Sequence, residues 1–118
     1  MAETYWKAQE NRIKNLLLDK GWDARRQPGS GNLPIEALKG DVYATYGDTK
    51  IMVDHKSTRG RENITLARGD LRKLGMDALV VEALPVLTFG FKGSQTLYGV
   101  MPLSQLLFVL ESREQWSP

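Results

Sequence analysis

The chain contains no cysteine and a single histidine, His55, among its 118 residues. A disulfide framework and thiolate metal sites are thereby excluded, so any metal must be held by oxygen donors or by that one residue. The absence of thiols suits a reducing cytoplasm. Long hydrophobic runs are also missing. The stretches from Ala78 to Leu87 and from Leu103 to Leu110 are too short or too interrupted to span a bilayer, and Met1 to Lys20 lacks the apolar block of a signal peptide. A soluble, intracellular protein with no membrane partner is expected. No repeat, low-complexity tract or linker breaks the sequence, so residues 1–118 are expected to form one domain. No serine, histidine and acid constellation points to an acyl intermediate, and no small-molecule cofactor is expected.

Net charge is likewise small, +2, but unevenly spread. Up to Lys73 there are 14 Lys and Arg against 10 Asp and Glu, a balance of +4, whereas the remainder holds 2 against 4. The basic end suits a polyanionic partner.

Periodicity supplies the elements. Trp6, Ile13, Leu16 and Leu17 recur at helical spacing between Glu3 and Lys20, with Gly21 as terminator. Trp22 to Gln27 reads as a short strand, and Pro28-Gly29-Ser30-Gly31-Asn32 as a loop. Strands are expected from Lys39 to Tyr46 and from Lys50 to Ser57, joined by a Gly47-Asp48 turn. Ile64, Ala67, Leu71, Leu74 and Ala78 form the stripe of a second helix. Pro85 to Phe91 and Thr96 to Met101 read as two more strands around Lys92-Gly93-Ser94-Gln95. Ser104 is placed to cap a last helix, with Leu103 and Phe108 as a hydrophobic staple. The order α-β-β-β-α-β-β-α predicts an α/β fold, a mixed sheet of about five strands flanked by helices.

The chemistry lies in four positions. A (D/E)xK triplet is weak evidence by itself, since roughly one is expected by chance in a chain this long. Asp48-Thr49-Lys50 is such a triplet in a turn. In Ile51-Met52-Val53-Asp54-His55-Lys56, strand alternation puts Asp54 and Lys56 on one face and turns His55 to the other with Ile51 and Val53. Asp41, at the start of the preceding strand, falls roughly opposite position 54 if the two strands pair through the Gly47-Asp48 turn. Glu10 interrupts the apolar stripe of Trp6, Ile13 and Leu17, where a carboxylate either snorkels to water or meets a cation near Asp41 and Asp54. Carboxylates gathered beside a lysine can hold Mg²⁺ at a phosphate and orient the attacking water, the needs of phosphodiester hydrolysis. Ser30 can donate a hydrogen bond to a phosphate. Arg25, Arg26, Arg59, Arg61, Arg68 and Arg72 are candidates for a DNA-backbone surface. The side chain of His55 reads as structural. Phe89, Phe91, Leu107 and Phe108 read as core or dimer interface.

This order of helix glutamate, Gly-Trp helix end, arginine-rich strand, Ser-Gly loop, Gly-Asp strand and Asp-x-Lys strand resembles archaeal-type Holliday junction resolvases of the PD-(D/E)xK nuclease superfamily. The resemblance covers roughly Thr4 to Thr58. It implies a restriction-endonuclease-like fold, catalytic roles for Glu10, Ser30, Asp41, Asp54 and Lys56, and one or two Mg²⁺ ions, with Mn²⁺ as a substitute, at Glu10, Asp41, Asp54 and the carbonyl of His55. It also implies a homodimer acting on four-way DNA junctions. Asp54 stands where close relatives carry Glu, and the second helix lacks the early glutamine expected there. Such compact nucleases also occur in phages, so the site of action would then be the host cytoplasm. The alternatives are a nuclease for flaps, mismatches or duplex, and a non-catalytic DNA-binding module.

Overall fold

The structure is a computed structural model and describes residues 2–26, 42–56 and 62–114. Helix α1, Ala2–Asp19, leads into strand β1, Asp23–Arg26, then β2, Val42–Tyr46, and β3, Thr49–Lys56. Helix α2, Arg68–Val80, precedes β4, Leu84–Gly90, and β5, Leu97–Val100, and helix α3, Leu103–Glu114, follows. The five strands form one sheet in chain order. All neighbours are antiparallel except β3 and β4, which run parallel because α2 carries the chain back between them. This is the expected mixed α/β architecture.

Alternation along β3 divides the core between the two sheet faces. Val53, with Val42, Ala44 and Ala24, packs against Ile13 of α1, and Leu17 and Ile51 lie at the margin. Met52, with Leu87 and Ala83, packs on the other face against Leu74 and Ala78 of α2. Met52, Leu87, Val42 and Val53 are the largest fully buried side chains. Each contributes about 1.5–3 kcal/mol by leaving water, so this double-sided strand anchors both layers.

Both covering helices stop in the same way. At the end of α1 the Gly21 amide donates to the Leu18 carbonyl at 3.0 Å and the Trp22 amide to the Leu17 carbonyl at 2.9 Å. At the end of α2 the Glu82 amide donates to Leu79 at 3.1 Å and the Ala83 amide to Ala78 at 2.9 Å. These are Schellman motifs, which need a left-handed residue after the cap. Gly21 supplies it at φ +91°, whereas α2 forces Glu82 to φ +58°.

Two expectations change. Ile64 and Ala67 precede the helix rather than lie on it, for α2 begins at Arg68 and Ala67 is extended at φ −83°, ψ 132°. Leu66 and Leu71 nonetheless reach the same core, so apolar spacing continues across the helix start. Ser104 does not cap α3. The helix starts two residues earlier than such a cap requires, with the Gln105 and Leu106 amides donating to the Pro102 carbonyl at 3.0 and 3.1 Å. Leu103 and Phe108 are 67% and 66% exposed, so they form no staple.

Candidate active site

The topology collects polar groups at one end of the sheet. β3 and β4 are parallel, so their carboxyl ends lie together, and α2 starts where the chain returns from β3. In open α/β sheets this edge is where ligands are held. Here it presents Asp54, His55 and Lys56.

The two faces of β3 treat these residues differently. On the α2 side the Lys56 ammonium donates to Asp70 Oδ2 at 3.1 Å, with the two side chains 32% and 53% exposed. Asp70 lies in the first turn of α2, where a carboxylate is favoured by the helix dipole and by exposed amides. The pair is accessible to solvent, so it orients the lysine more than it stabilises the fold. Asp54, half-buried, shares the alternation phase of Met52 and Lys56 and is matched to Leu87 in the β3–β4 register.

On the α1 side His55 is buried, and its Nδ1 lies 2.9 Å from Thr88 Oγ1, its register partner on β4. Burial holds its pKa below the ordinary histidine value, the Arg12 guanidinium pushes it further down, and the Glu10 carboxylate opposes them. The ring is therefore neutral near pH 7, which fits the structural role expected of its side chain. Glu10 itself is half-buried on α1. Its electrostatic influence on His55 places it near the carboxyl end of β3.

The expected carboxylate cluster is described only in part. Among the described residues no three acidic or histidine side chains gather as a metal site. Asp41 and Ser30 lie outside the described residues, as do Arg59 and Arg61. The β2–β3 register runs in step from Tyr46↔Thr49 to Val42↔Val53, one position short of the 41 and 54 pairing. Arg25 is exposed on β1, Arg26 belongs to the same strand, and Arg68 and Arg72 are exposed one turn apart on α2. The donors expected to hold a metal are hard oxygens, and Mg²⁺ needs only one or two carboxylates when phosphate and water complete its shell. Asp54 beside a phosphate is compatible with that requirement.

A family model described as archaeal Holliday junction resolvase (Hjc) matches residues 3–109. The chain belongs to this family. Hjc proteins are endonucleases that act on DNA, and the match extends the resemblance seen in residues 4–58 across the second half of the chain. Among solved structures, that of Hjc from Archaeoglobus fulgidus, a Holliday junction resolvase from an archaeal hyperthermophile, is similar over 82% of this chain and 75% of its own. Identity is 20% and the TM-score 0.64, a likeness in fold that agrees with the restriction-endonuclease-like sheet. No curated protein sequence matches.

Asp70 of this Hjc member, which pairs with Lys56, is a residue that the sequence does not single out. Its signal lies in the topology. A helix that crosses between parallel strands begins beside the end of the first, so an acid in its first turn faces whatever that strand presents. The apolar stripe carries the expected helix back to Ile64, which hides Asp70 in the middle of a helix.

Proposed function

We propose that this chain is a Mg²⁺-dependent endonuclease that cuts DNA phosphodiesters at four-way junctions. The observation that carries the proposal is the pairing of Asp54 and Lys56 in one alternation phase at the carboxyl end of β3, with Lys56 held by Asp70. Membership of the Hjc family supports it.

In this reading Asp54, Asp41 and Glu10 hold the metal together with the His55 carbonyl. Bound Mg²⁺ supplies Lewis acidity at the phosphate and lowers the pKa of water. Lys56 orients the attacking water and offsets charge that grows on the phosphoryl oxygens. Asp70 limits the rotamers of Lys56, so less order must be gained when substrate arrives. Ser30 donates to a phosphate oxygen, and Arg25, Arg26, Arg59, Arg61, Arg68 and Arg72 grip the backbone on either side. The place of action is the cytoplasm, or that of a host cell for a phage-borne member.

The same reading assigns a homodimer. Helix α3 exposes Leu103, Leu106, Leu107, Phe108 and Leu110, and none of its described side chains is buried. A helix of 12 residues is too short to persist in water by propensity alone, so its apolar surface calls for a partner. A second copy fits, since a two-fold enzyme suits a two-fold junction.

The test is cleavage of a synthetic four-way junction beside linear duplex and a flap, with Mg²⁺ or EDTA, using wild type and Asp54→Asn. Paired nicks confined to the junction, lost with EDTA and in the variant, are expected. Cutting of flap or duplex instead would reassign the substrate, and binding without cutting would leave only a DNA-binding module.

A further inference from the structure

A cavity of about 220 Å³ opens beside the strand ends, lined by Gln9 and Arg12 of α1, His55 of β3, and Phe91, Lys92 and Ser94 of the β4–β5 turn. Its lining carries two permanent positive charges and no carboxylate. Glu10 neighbours the lining in sequence and acts on His55, but it is not part of the wall.

Two of its donors are held in advance. The Arg12 guanidinium donates to the Gln95 carbonyl, which ties α1 to the β4–β5 turn. A guanidinium has five N–H groups, so this bond fixes the fork while leaving others to face the cavity. The Ser94 hydroxyl accepts from the Thr96 amide at 3.2 Å, which leaves its own proton to donate. Gly93, at φ +88°, lets the turn bend tightly between Lys92 and Ser94.

We infer that this cavity binds a backbone phosphate of DNA, with Arg12, Lys92 and Ser94 as its ligands. The inference rests on the nuclease reading for the identity of the polyanion. His55 is flanked in sequence by Asp54 and Lys56 but points to the opposite face, so a phosphate held here lies at the same end of the strand as the one cut and on the other side of the sheet. None of these three ligands belongs to the arginine surface expected from sequence. The cavity adds a contact from the α1 side of the sheet, opposite the face that carries Lys56.

The test measures affinity of the full chain for a fluorescent four-way junction across a NaCl series in EDTA, for wild type, Lys92→Gln, Arg12→Gln and the double variant. Lys50→Gln, exposed at the opposite end of β3, removes the same charge elsewhere. Lys92→Gln is expected to weaken binding roughly tenfold at low salt and to reduce the slope of log affinity against log salt by about 1, and the double variant by about 2, with Lys50→Gln unchanged. Lys92 is exposed in a turn, so its variant keeps the fold, whereas Arg12→Gln also removes a tether between α1 and the turn. Wild type that cuts the junction while Lys92→Gln keeps the full slope overturns the phosphate cavity and leaves the nuclease reading intact. Lys92-dependent binding by a wild type that never cuts in Mg²⁺ overturns the nuclease reading and keeps the cavity.

Discussion

Helices α1 and α2 cover opposite faces of one sheet and end with the same pair of hydrogen bonds, yet they bring different chemistry to the same three residues of β3. α2 offers a solvent-accessible carboxylate, Asp70, to Lys56. α1 offers Arg12 and Glu10 to a buried, neutral His55. One strand can therefore serve two purposes, because a period of two sends neighbouring side chains into separate environments. The α2 face keeps a lysine charge accessible at the end of the strand. The α1 face buries an uncharged ring beside a basic cavity.

The comparison is broken most directly at Lys56. Lys56→Met is expected to slow junction cleavage by about 10²–10⁴-fold with binding largely retained, a typical loss for a group acting on proton transfer and charge in the transition state. His55→Gln, one residue away on the other face, is expected to retain far more activity. Single-turnover rates at saturating enzyme decide it, and equal losses would erase the distinction between faces.

Exchanging the helix ends sharpens the second half of the comparison. Gly21→Ala is expected to cost about 1–2 kcal/mol, because a side chain is placed at left-handed φ. Glu82→Gly is expected to gain about 1 kcal/mol by relieving the same strain at α2. Urea denaturation of the two variants beside wild type measures both, and a destabilised Glu82→Gly would show that the Glu82 side chain outweighs its backbone. Asp70→Asn has a smaller effect, at most about 1 kcal/mol, since the pair with Lys56 is partly exposed. Its melting temperature should fall slightly, and less so in high salt.

The gentlest effect is a pH slope carried by His55. Its folded pKa lies below the ordinary value, so the unfolded chain binds more protons between the two. Stability is full above about pH 6.5 and declines as pH falls through the folded pKa. Melting curves in EDTA between pH 5 and 8 should show this decline in wild type and a flatter profile in His55→Gln. A parallel decline in both proteins would assign the slope to other groups.

Much of this is legible in the residues. Strand alternation is enough to separate Asp54 and Lys56 from His55, and Gly21 by its residue type marks the end of α1. The order of all eight elements follows from periodicity. What escapes depends on distant contacts. Ile64 and Ala67 keep helical spacing although the chain there is not yet helical, because Leu66 and Leu71 reach one core from both sides of the helix start. Ser104 has the chemistry of a cap, but the Pro102 carbonyl accepts the first amides of α3 and fixes its entry earlier. Phe108 reads as core, interface or staple, and its exposure shows that it forms neither staple nor core. Asp70 and Arg12 are not singled out by the sequence because their partners, Lys56 and the Gln95 carbonyl, are joined to them by topology alone.

Strand β1 carries a further consequence. Among the described residues it is an edge of the sheet, and three of its four residues are charged: Asp23, Arg25 and Arg26. Charged side chains along an edge keep it hydrated, which opposes the end-to-end sheet growth that leads to aggregates. The opposite edge among the described residues, β5, carries Leu97, Tyr98, Gly99 and Val100 and no charge. Neutralising the two β1 arginines proposed to grip DNA is therefore expected to cost solubility along with affinity.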